Sequence, residues 1–373
     1  MSSVAITGCG SYDQSLVDDA VKTVCRAAGM PSVAGKRVLL KPNILSDSRE
    51  ELAITTHSAV VRAVIRLLKG EGASEIYVGD SPGIHTTSFI PRHSGIHQAV
   101  LDEGAVWVDF IPDPTPTRIP YTRLKRLPIA KIASDVDLIF SLPKMKTHQL
   151  MYATGAVKNL FGLVPNLHKS PMHVQFPTRS QFATLMVGIA TAVKPAFSLM
   201  DGIIALEGPG PANGTPVHVG LLLASCDAVA LDWAQARIMG YEALDVPIVA
   251  EGIRRGLGSP PSSYPLLDAE ELVRPSFTRI AIHRRTRFIR SLIIPLLFGP
   301  IIRWNVKRQR PAPVFLEDSC ILCRKCIQIC PVDALTMGDK RIIIDEKTCI
   351  RCYCCHEVCP ADAIAIGTPG DAR

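Results

Sequence analysis

The sequence predicts an α/β domain with a mostly parallel sheet covered by helices on both faces, followed by a small cysteine-rich domain. The first 270 residues alternate short apolar runs with helical patterns, which is typical of a parallel sheet. Nine of the twelve cysteines lie in the last 54 residues. With 47% hydrophobic and 20% charged residues, the composition excludes a mostly disordered chain. We therefore expect domains at 1–273 and 311–373, joined by a segment at 274–310.

The elements of the first domain follow from the hydrophobic pattern. Apolar runs rich in β-branched residues predict buried strands, and an apolar stripe with a 3.6-residue period predicts an amphipathic helix. The predicted strands cover 4–7, 37–43, 75–81, 137–144, 197–203 and 219–225. The predicted helices with the clearest pattern cover 15–28 and 58–69.

Polar side chains follow these strands, where the ligand crevice of a parallel sheet lies. Four lysines among them would form a positive site for carboxylate or phosphate groups. His57 and His148 are candidate proton donors near neutral pH. The candidate substrate-binding residues are Lys41, Asn43, Thr56, Asp80, Lys144, Lys146, Lys158, Asn159 and Glu207.

Each of these candidates also has a purely structural interpretation. Thr56 or Ser58 is a typical helix N-cap, and Asp80 begins a sequence typical of a turn. The loop at 207–216 matches neither nucleotide-binding glycine motif, so a nucleotide site is disfavoured. A further alternative is a metal or second cofactor, although the spacing of its ligands matches no compact metal motif. Those ligands would be His57, Asp80, His148 and His173.

Eight cysteines form two copies of the pattern C-x2-C-x2-C-x3-C-P, offset by 29 residues. The chain start lacks a secretory signal, which favours metal ligation over disulfides. A zinc ribbon needs two C-x2-C pairs and does not explain the repeated C-x3-C-P. The copies are Cys320, Cys323, Cys326 and Cys330, and then Cys349, Cys352, Cys355 and Cys359.

This repeat resembles the bacterial two-cluster ferredoxin, a small α+β fold of paired hairpins and short helices. The resemblance implies two [4Fe–4S] clusters. In such ferredoxins the fourth cysteine of each copy binds the cluster of the other copy. It implies a first cluster on Cys320, Cys323, Cys326 and Cys359, and a second on Cys349, Cys352, Cys355 and Cys330. Cys354 is out of register, and we expect a small buried thiol there.

The first domain resembles the family known as domain of unknown function 362, whose members often carry a two-cluster ferredoxin tail. The resemblance implies an iron–sulfur protein and brings no settled activity. The matching stretches are KPN at 41–43, TTHSAVVRAV at 55–64, VGDSPG at 78–83, PKMKTH at 143–148, GAVKNLFG at 155–162, DGIIALEGPGPANG at 201–214 and DAVALD at 227–232.

The segment at 274–310 holds ten Lys or Arg residues and no Asp or Glu. Its apolar run at 291–302 is too short to span a bilayer, and Pro295 and Pro300 would break a long helix. Residues 279–310 are therefore either a peripheral membrane anchor that contacts anionic lipid or a linker packed on the body. No recognition motif accompanies the basic residues, so we expect no nucleic-acid partner.

Together these features predict an oxidoreductase whose clusters carry single electrons to a substrate on the α/β domain. The expected partners are a ferredoxin-like or flavodoxin-like donor and a small anionic substrate, which would be lipophilic if residues 279–310 bind membrane. The alternative is a non-catalytic electron-transfer or cofactor-assembly protein, whose lysines would dock an acidic partner. We expect a cytoplasmic protein, and a peripheral one at the inner membrane face if residues 279–310 bind lipid.

Overall fold

The computed structural model describes residues 2–83, 89–266, 276–282 and 311–367. The chain divides into two compact units, Met1–Arg279 and Ile280–Arg373. The predictions for the basic segment fall largely on residues 283–310, which lie outside the described residues. No helix in the described ranges is long and apolar enough to cross a membrane.

The strands of the first unit follow the predicted order and extend it. A nine-stranded sheet contains all of them except β5 and β6, which form a separate hairpin. The strands are β1 (Ala5–Gly8), β2 (Arg37–Pro42), β3 (Glu75–Val78), β4 (Val106–Trp107), β5 (Thr115–Thr117), β6 (Leu127–Ile129), β7 (Leu138–Leu142), β8 (Lys144–His148), β9 (Tyr152–Thr154), β10 (Phe197–Glu207) and β11 (Thr215–Ser225).

Helices connect these strands and cover the sheet. Short 3-10 turns occur at Glu50–Leu52, Leu160–Leu163, Asn166–His168 and Ala243–Asp245. The described α-helices are α1 (Gln14–Ala27), α2 (Ser58–Gly70), α3 (Ile96–Asp102), α4 (Ile132–Asp135), α5 (Ala156–Asn159), α6 (Ser170–Gln175), α7 (Arg179–Val193), α8 (Ala228–Ile238) and α9 (Pro247–Arg255).

The main path of the sheet runs β1-β11-β10-β7-β2-β3-β4. The pairs from β10 through β7, β2 and β3 to β4 are parallel, whereas β11 is antiparallel to both β1 and β10. The predicted fold class, a mostly parallel sheet with helices, is confirmed. The antiparallel edge arises because β10 and β11 are joined directly by the glycine-rich loop, which makes a hairpin turn.

Local sequence explains where the two helices that flank the site begin. The Asp13 carboxylate accepts hydrogen bonds from the backbone N–H groups of Ser15 and Leu16, which caps α1. The imidazole Nδ1 of His57 accepts the Ala59 N–H in the same way at the start of α2. Both helices bury an apolar stripe on the sheet.

The two faces of the sheet carry different sets of side chains. Leu40 and Leu142 pack with α1 and α2 in one core cluster. Side chains alternate along a strand, so Lys41 points to the opposite face, where it reaches Asn159 of α5. Asp201 accepts the His57 backbone N–H at the start of α2, so its carboxylate lies on the α1 and α2 face. Residues expected on one rim are therefore divided between two faces.

The structure corrects one local expectation. Lys146 and His148 were expected among the polar residues that follow the strand predicted at 137–144, but Lys144–His148 form a separate buried strand, β8. This strand pairs with β10 in parallel and with β9 in antiparallel orientation. Polar side chains are compatible with a buried strand here because the lysine ammonium groups find acceptors, as described below.

The second unit is small and ferredoxin-like, with a 3-10 turn at Glu317–Ser319. Its strands β12 (Ala312–Phe315) and β15 (Ile364–Gly367) pair antiparallel, as do β13 (Leu335–Met337) and β14 (Ile342–Ile344). Its short helices are α10 (Lys325–Ile329) and α11 (Cys354–Glu357).

The 29-residue repeat of this unit extends to its backbone conformation. Three positions have positive φ in both copies, with nearly equal values within each pair. Non-glycine residues rarely adopt this conformation, so its recurrence shows that the two copies fold alike. The pairs are Leu322 and Arg351, Arg324 and Tyr353, and Asp333 and Asp362.

Candidate functional site

One lysine site is built around the buried ion pair of Lys41 and Asp80. The Lys41 Nζ lies 2.9 Å from Asp80 Oδ1 and donates to Pro42 O at 2.6 Å and Asn159 Oδ1 at 3.2 Å. All three ammonium donors thus have protein acceptors, and Lys41 is 0% exposed. Burial lowers the pKa of Lys41, and the Asp80 charge opposes that shift. Lys41 therefore holds the site together and has no donor left for a substrate.

The neighbours of this pair fix it in place. The second carboxylate oxygen of Asp80 accepts the Ile44 N–H at 2.7 Å. Asn159 donates its side-chain amide to Lys41 O at 2.8 Å and to Ser141 Oγ at 3.1 Å. A Cβ atom at Gly162 would lie 2.3 Å from Asp80 Oδ1 and 2.5 Å from Lys41 Nζ, so only glycine fits there.

Two more lysines lie near the Asp80 carboxylate. Lys169 donates to the carbonyl oxygen of Ser81, the residue after Asp80. The pKa of Lys169 is lowered to about 7, mainly by burial; Asp80 opposes this shift, and the positive charges of Lys41 and Lys158 contribute to it. Lys158, a predicted site residue, is half-buried and lowers the pKa of Lys41 as well. This site, formed by Lys41, Asp80, Lys158 and Lys169, is called the cation-rich site below.

A second buried ion pair lies on the other face of the sheet. Lys144 Nζ is 2.8 Å from Asp201 Oδ2 and donates to the Tyr12 hydroxyl at 2.7 Å. The Tyr12 hydroxyl donates to Asp201 Oδ1 at 2.9 Å and accepts the Ile204 N–H at 3.2 Å. Burial raises the pKa of Tyr12, and the Asp201 charge adds to the shift, so the phenol stays protonated.

His57 completes this second site. Its ring stacks on the Tyr12 ring with centroids 3.6 Å apart, and its Nε2 lies 3.4 Å from Glu50 Oε2. Because Nδ1 accepts the Ala59 N–H, the proton of the neutral ring is on Nε2. Burial lowers the pKa of His57, and Glu50 and Asp201 oppose the shift. The site of Tyr12, Glu50, His57, Lys144 and Asp201 is called the tyrosine site below.

Other predicted site residues hold the surrounding loops. Lys146 donates to Ile54 O at 2.8 Å. The Thr56 hydroxyl donates to Leu142 O at 2.6 Å and accepts the Asn43 N–H at 2.9 Å. Because Lys146 and Thr56 are almost fully buried, these contacts tie the loop before α2 to the sheet. Asn43 Oδ1 and Thr55 Oγ1 are buried without a hydrogen-bond partner among the described residues.

Two predicted site residues have different roles from those expected. His148 is buried, and its Nδ1 accepts the backbone N–H groups of Leu150 and Met151 at 3.1 and 3.3 Å. It therefore stabilises the turn after β8 and is not placed as a proton donor. Glu207 Oε2 accepts the Thr278 N–H at 2.6 Å, which anchors the segment at 276–282. Neither residue contacts the two lysine sites through the hydrogen bonds described.

Sequence reasoning missed four residues that the structure brings to these sites: Tyr12, Glu50, Asn166 and Lys169. Tyr12 lies on the loop after β1, and Glu50 lies in a 3-10 turn, so neither follows a strand of the parallel part. Lys169 lies between a 3-10 turn and α6, where no apolar pattern marks a strand end. For Tyr12, the polar residues in the loop between β1 and α1 are a signal that could have pointed to the site.

The cysteines of the second unit line two cavities. Each cavity receives three repeat cysteines from one copy and one from the other. Cys320, Cys323, Cys326 and Cys359 line the first. Cys330, Cys349, Cys352, Cys354 and Cys355 line the second. The remaining walls are largely aliphatic, which suits clusters bound by thiolates.

Backbone N–H groups point at the sulfurs of these cavities. Ala334 N donates to Cys330 Sγ at 3.2 Å, and Ala363 N donates to Cys359 Sγ at 3.3 Å, again with an offset of 29 residues. Such donors stabilise thiolate ligands. Cys354 is buried and hydrogen-bonded to the sulfur of Cys352. Within the described ranges, no three His, Cys, Asp or Glu side chains are grouped to hold a single metal ion.

Comparison with known proteins agrees with this architecture. The model of the family described as domain of unknown function (DUF362) matches residues 38–237, which include both lysine sites except Tyr12. The chain belongs to the DUF362 family. A 4Fe-4S dicluster domain matches residues 307–363. This DUF362 protein therefore carries a ferredoxin-type iron–sulfur domain, which supports electron transfer.

Similar proteins are known by sequence and by structure. A thylakoid-associated protein of Synechocystis sp. is 32% identical over 279 residues, which cover 73% of this chain and 86% of that protein. The lactate racemase apoprotein of Thermoanaerobacterium thermosaccharolyticum is 16% identical, with a TM-score of 0.40 over 61% of this chain and 57% of that one. A Thermotoga maritima protein is 13% identical, with a TM-score of 0.39 over 56% and 55%. The chain spans little more than half the length of these solved structures.

Proposed function

We propose that this DUF362 protein is an iron–sulfur oxidoreductase that accepts electrons from an external ferredoxin-like or flavodoxin-like donor. The substrate is an anionic small molecule that binds at the α/β unit. Two [4Fe–4S] clusters would supply one-electron transfer. The observation that carries this proposal is that a cysteine-rich ferredoxin-like unit is fused to a unit with a partly exposed acid–base group, because an electron carrier alone needs no such group.

The proposed ligands follow the way in which the cysteines divide between the two cavities. The crossed arrangement supports one cysteine of each copy serving the cluster of the other copy, as in two-cluster ferredoxins. Cys354 lies out of register, and its hydrogen bond with Cys352 and its burial raise its pKa, so it keeps its proton. The first cluster would use Cys320, Cys323, Cys326 and Cys359, and the second would use Cys349, Cys352, Cys355 and Cys330.

Cluster content can be counted directly. We expect protein purified without oxygen to hold about eight iron atoms and eight sulfides per chain. Cys359→Ser and Cys330→Ser should each lower the content of one cluster. Cys354→Ala is the matched control, because it removes a neighbouring thiol that we do not place among the ligands. Loss of a cluster in Cys354→Ala, or full content in Cys359→Ser, would contradict the assignment.

The tyrosine site supplies the proton that accompanies reduction. The side chains of His57 and Glu50 are 17% and 24% exposed, so solvent protons reach them, while Lys144 and Asp201 are buried. Near pH 7 the lowered pKa of His57 keeps its ring neutral, with the Nε2 proton facing Glu50. His57 is the proposed acid–base group. Its ring binds a solvent proton, the Glu50 carboxylate stabilises the imidazolium, and the imidazolium then donates that proton to the reduced substrate, while Tyr12, Lys144 and Asp201 hold the ring in position.

Turnover can be tested without knowing the substrate. Clusters are reduced with dithionite, excess reductant is removed, and their visible absorption is followed after a small-molecule fraction is added. His57→Asn keeps a helix N-cap and removes the titrating ring, so we expect reoxidation about 100-fold slower. His93→Asn, whose side chain is largely exposed, is the control. Equal rates in His57→Asn and the wild type would remove His57 from the mechanism.

The alternative is a non-catalytic electron-transfer or cofactor-assembly protein that docks a partner through its lysines. Lys41, Lys144 and Lys146 are at most 1% exposed, so they cannot form the docking surface for an acidic partner. Their burial therefore argues against docking through these lysines. Reoxidation by a protein fraction alone, with none by small molecules, would support the alternative.

Membrane contact through residues 279–310 is a separate part of the proposal. It is supported by the arginine-rich sequence and by the name of the relative, a thylakoid-associated protein. Anionic lipid attracts clustered arginines, and apolar neighbours enter the headgroup region. We expect the protein to sediment with vesicles that contain phosphatidylserine, and to stay in the supernatant with neutral phosphatidylcholine vesicles. Equal sedimentation with both would contradict an electrostatic contact.

A further inference from the structure

The cation-rich site brings a second, half-buried lysine close to a carboxylate that is already paired. Lys41 forms a close ion pair with Asp80, yet Lys169 also lies beside this pair and acts electrostatically on it. The neighbouring Ser81 and Asn166 are buried and contribute no charge, and they bind each other through two hydrogen bonds. Clustered positive charge in a poorly solvated place is unfavourable without a compensating anion.

Lys169 is the member of this site that has donors to spare. Lys41 uses all three of its ammonium donors on protein oxygens. Lys169 makes one hydrogen bond to a described residue, at Ser81 O, so two of its N–H donors have no acceptor among the residues that the structure describes. Lys169 is half-buried, whereas Lys41 and Asp80 are fully buried. A ligand from solvent would therefore meet Lys169 before the ion pair behind it.

We propose that Lys169, backed by the Lys41–Asp80 pair, binds an oxyanion, namely the phosphate or carboxylate group of a ligand. An ammonium group recognises either oxyanion as a point charge with several donors. Asp80 keeps the net charge of the site moderate and holds the Ser81 backbone, whose carbonyl oxygen orients Lys169. The inference rests on the proposed function only for the idea that this oxyanion belongs to the substrate, since the binding itself needs no redox reaction.

The test uses full-length holoprotein and inorganic phosphate in equilibrium dialysis, with acetate as a second probe. We expect one saturable phosphate site in the wild type and at least tenfold weaker binding in Lys169→Met. Lys22→Met, at an exposed lysine of α1, should bind like the wild type, and Lys169→Arg should bind within a few-fold. Stronger binding of phosphate than of acetate identifies a phosphate ligand, and the reverse order identifies a carboxylate. Absence of saturable binding of both, or equal binding in Lys169→Met, overturns the proposal.

A second measurement needs no variant and so does not depend on the folding of Lys169→Met. Lysine acetylation by a limiting amount of acetic anhydride is followed peptide by peptide by mass spectrometry, with and without phosphate. Phosphate should slow the modification of Lys169 at least several-fold and leave that of Lys22 unchanged. Equal slowing at both lysines, or none, overturns the proposal. Because neither measurement involves cluster turnover, a failure here is distinguishable from a failure of the proposed redox function.

Discussion

The two lysine–aspartate pairs of the α/β unit have nearly the same geometry and opposite surroundings. The ammonium–carboxylate distances are 2.9 Å for Lys41–Asp80 and 2.8 Å for Lys144–Asp201, and both pairs are buried. On one face of the sheet, two further lysines surround the pair. On the other face, the pair meets a tyrosine, a histidine and Glu50.

This difference shows that a buried ion pair does not by itself define a function. In the cation-rich site the pair lies beside the half-buried lysine Lys169, and this additional positive charge suits anion binding. In the tyrosine site the same pair orients groups that give and take protons, which suits acid–base chemistry. The charges around each pair, rather than the pair itself, separate the two roles.

The largest expected effect comes from breaking the pairs one at a time. Lys144→Met leaves Asp201 buried without another ammonium group, so we expect a loss of about 3–5 kcal/mol in the free energy of unfolding. Lys41→Met should lose less, because Lys169 lies near Asp80 and gains a proton when Lys41 is removed. The measurement is denaturant unfolding followed by tryptophan fluorescence, with Lys22→Met as control. A larger loss for Lys41→Met would break the comparison.

Crowding of the cation-rich site should give the next largest effect. At Gly162 an added Cβ would lie within 2.5 Å of both members of the ion pair, so Gly162→Ala forces them apart. We expect a loss of about 1–3 kcal/mol in unfolding free energy, together with weaker phosphate binding. Gly8→Ala is the matched control, since nothing lies within 4 Å of its added Cβ. Equal stability of the two variants would show that the pair tolerates displacement.

A smaller effect should follow from removing one hydroxyl of the tyrosine site. Tyr12→Phe removes the acceptor of the Lys144 ammonium and the donor to Asp201, while the ring still stacks on His57. Hydrogen bonds to charged groups contribute about 1.5–3 kcal/mol. Because the ion pair remains, we expect a loss of only about 1.5 kcal/mol in unfolding free energy. Tyr121→Phe, at an exposed tyrosine, should be neutral. Unchanged stability in Tyr12→Phe would mean that the hydroxyl is not part of the network.

The sequence predicted this fold and its sites to different depths, for physical reasons. The positions of the predicted strands along the chain and the mostly parallel sheet follow from apolar runs, which depend on local pattern alone. Lys41 and Lys144 were placed near a site, but their pairing with carboxylates on opposite faces depends on sheet geometry. A shift of one residue in register would move each side chain to the other face. Tyr12 reaches Asp201 from 189 positions away, a contact that no local pattern encodes.

The repeat of the second unit was more informative because its information is local. A spacing such as C-x2-C-x2-C fixes which sulfurs a single loop presents, and the offset of 29 residues relates the two copies. The polar residues of the α/β unit have no such spacing. His148 and Glu207 illustrate the result, since both were expected at the site and both instead bind nearby backbone groups.

The smallest expected change, counted per unit of pH, is a pH dependence of stability that belongs to the cation-rich site. The pKa of Lys169 is about 7 in the folded protein and 10.5 when exposed, so the folded state holds fewer protons at pH values between these limits. The free energy of unfolding therefore rises with pH from about 7 toward 10.5, by less than about 1.4 kcal/mol per pH unit. The groups that set this pKa besides burial are Lys41, Lys158 and Asp80.

Other groups titrate over the same range, so the informative quantity is the difference between wild type and Lys169→Met. We expect that difference to change with pH in buffers without phosphate, because the variant lacks the titrating ammonium, whereas Lys22→Met should parallel the wild type. Phosphate should reduce the pH dependence, because a bound anion favours the protonated lysine and raises its pKa. Parallel curves for wild type and Lys169→Met would mean that Lys169 is as well solvated as an ordinary surface lysine. The two lysine–aspartate pairs would then no longer differ in the way that the anion-binding proposal requires.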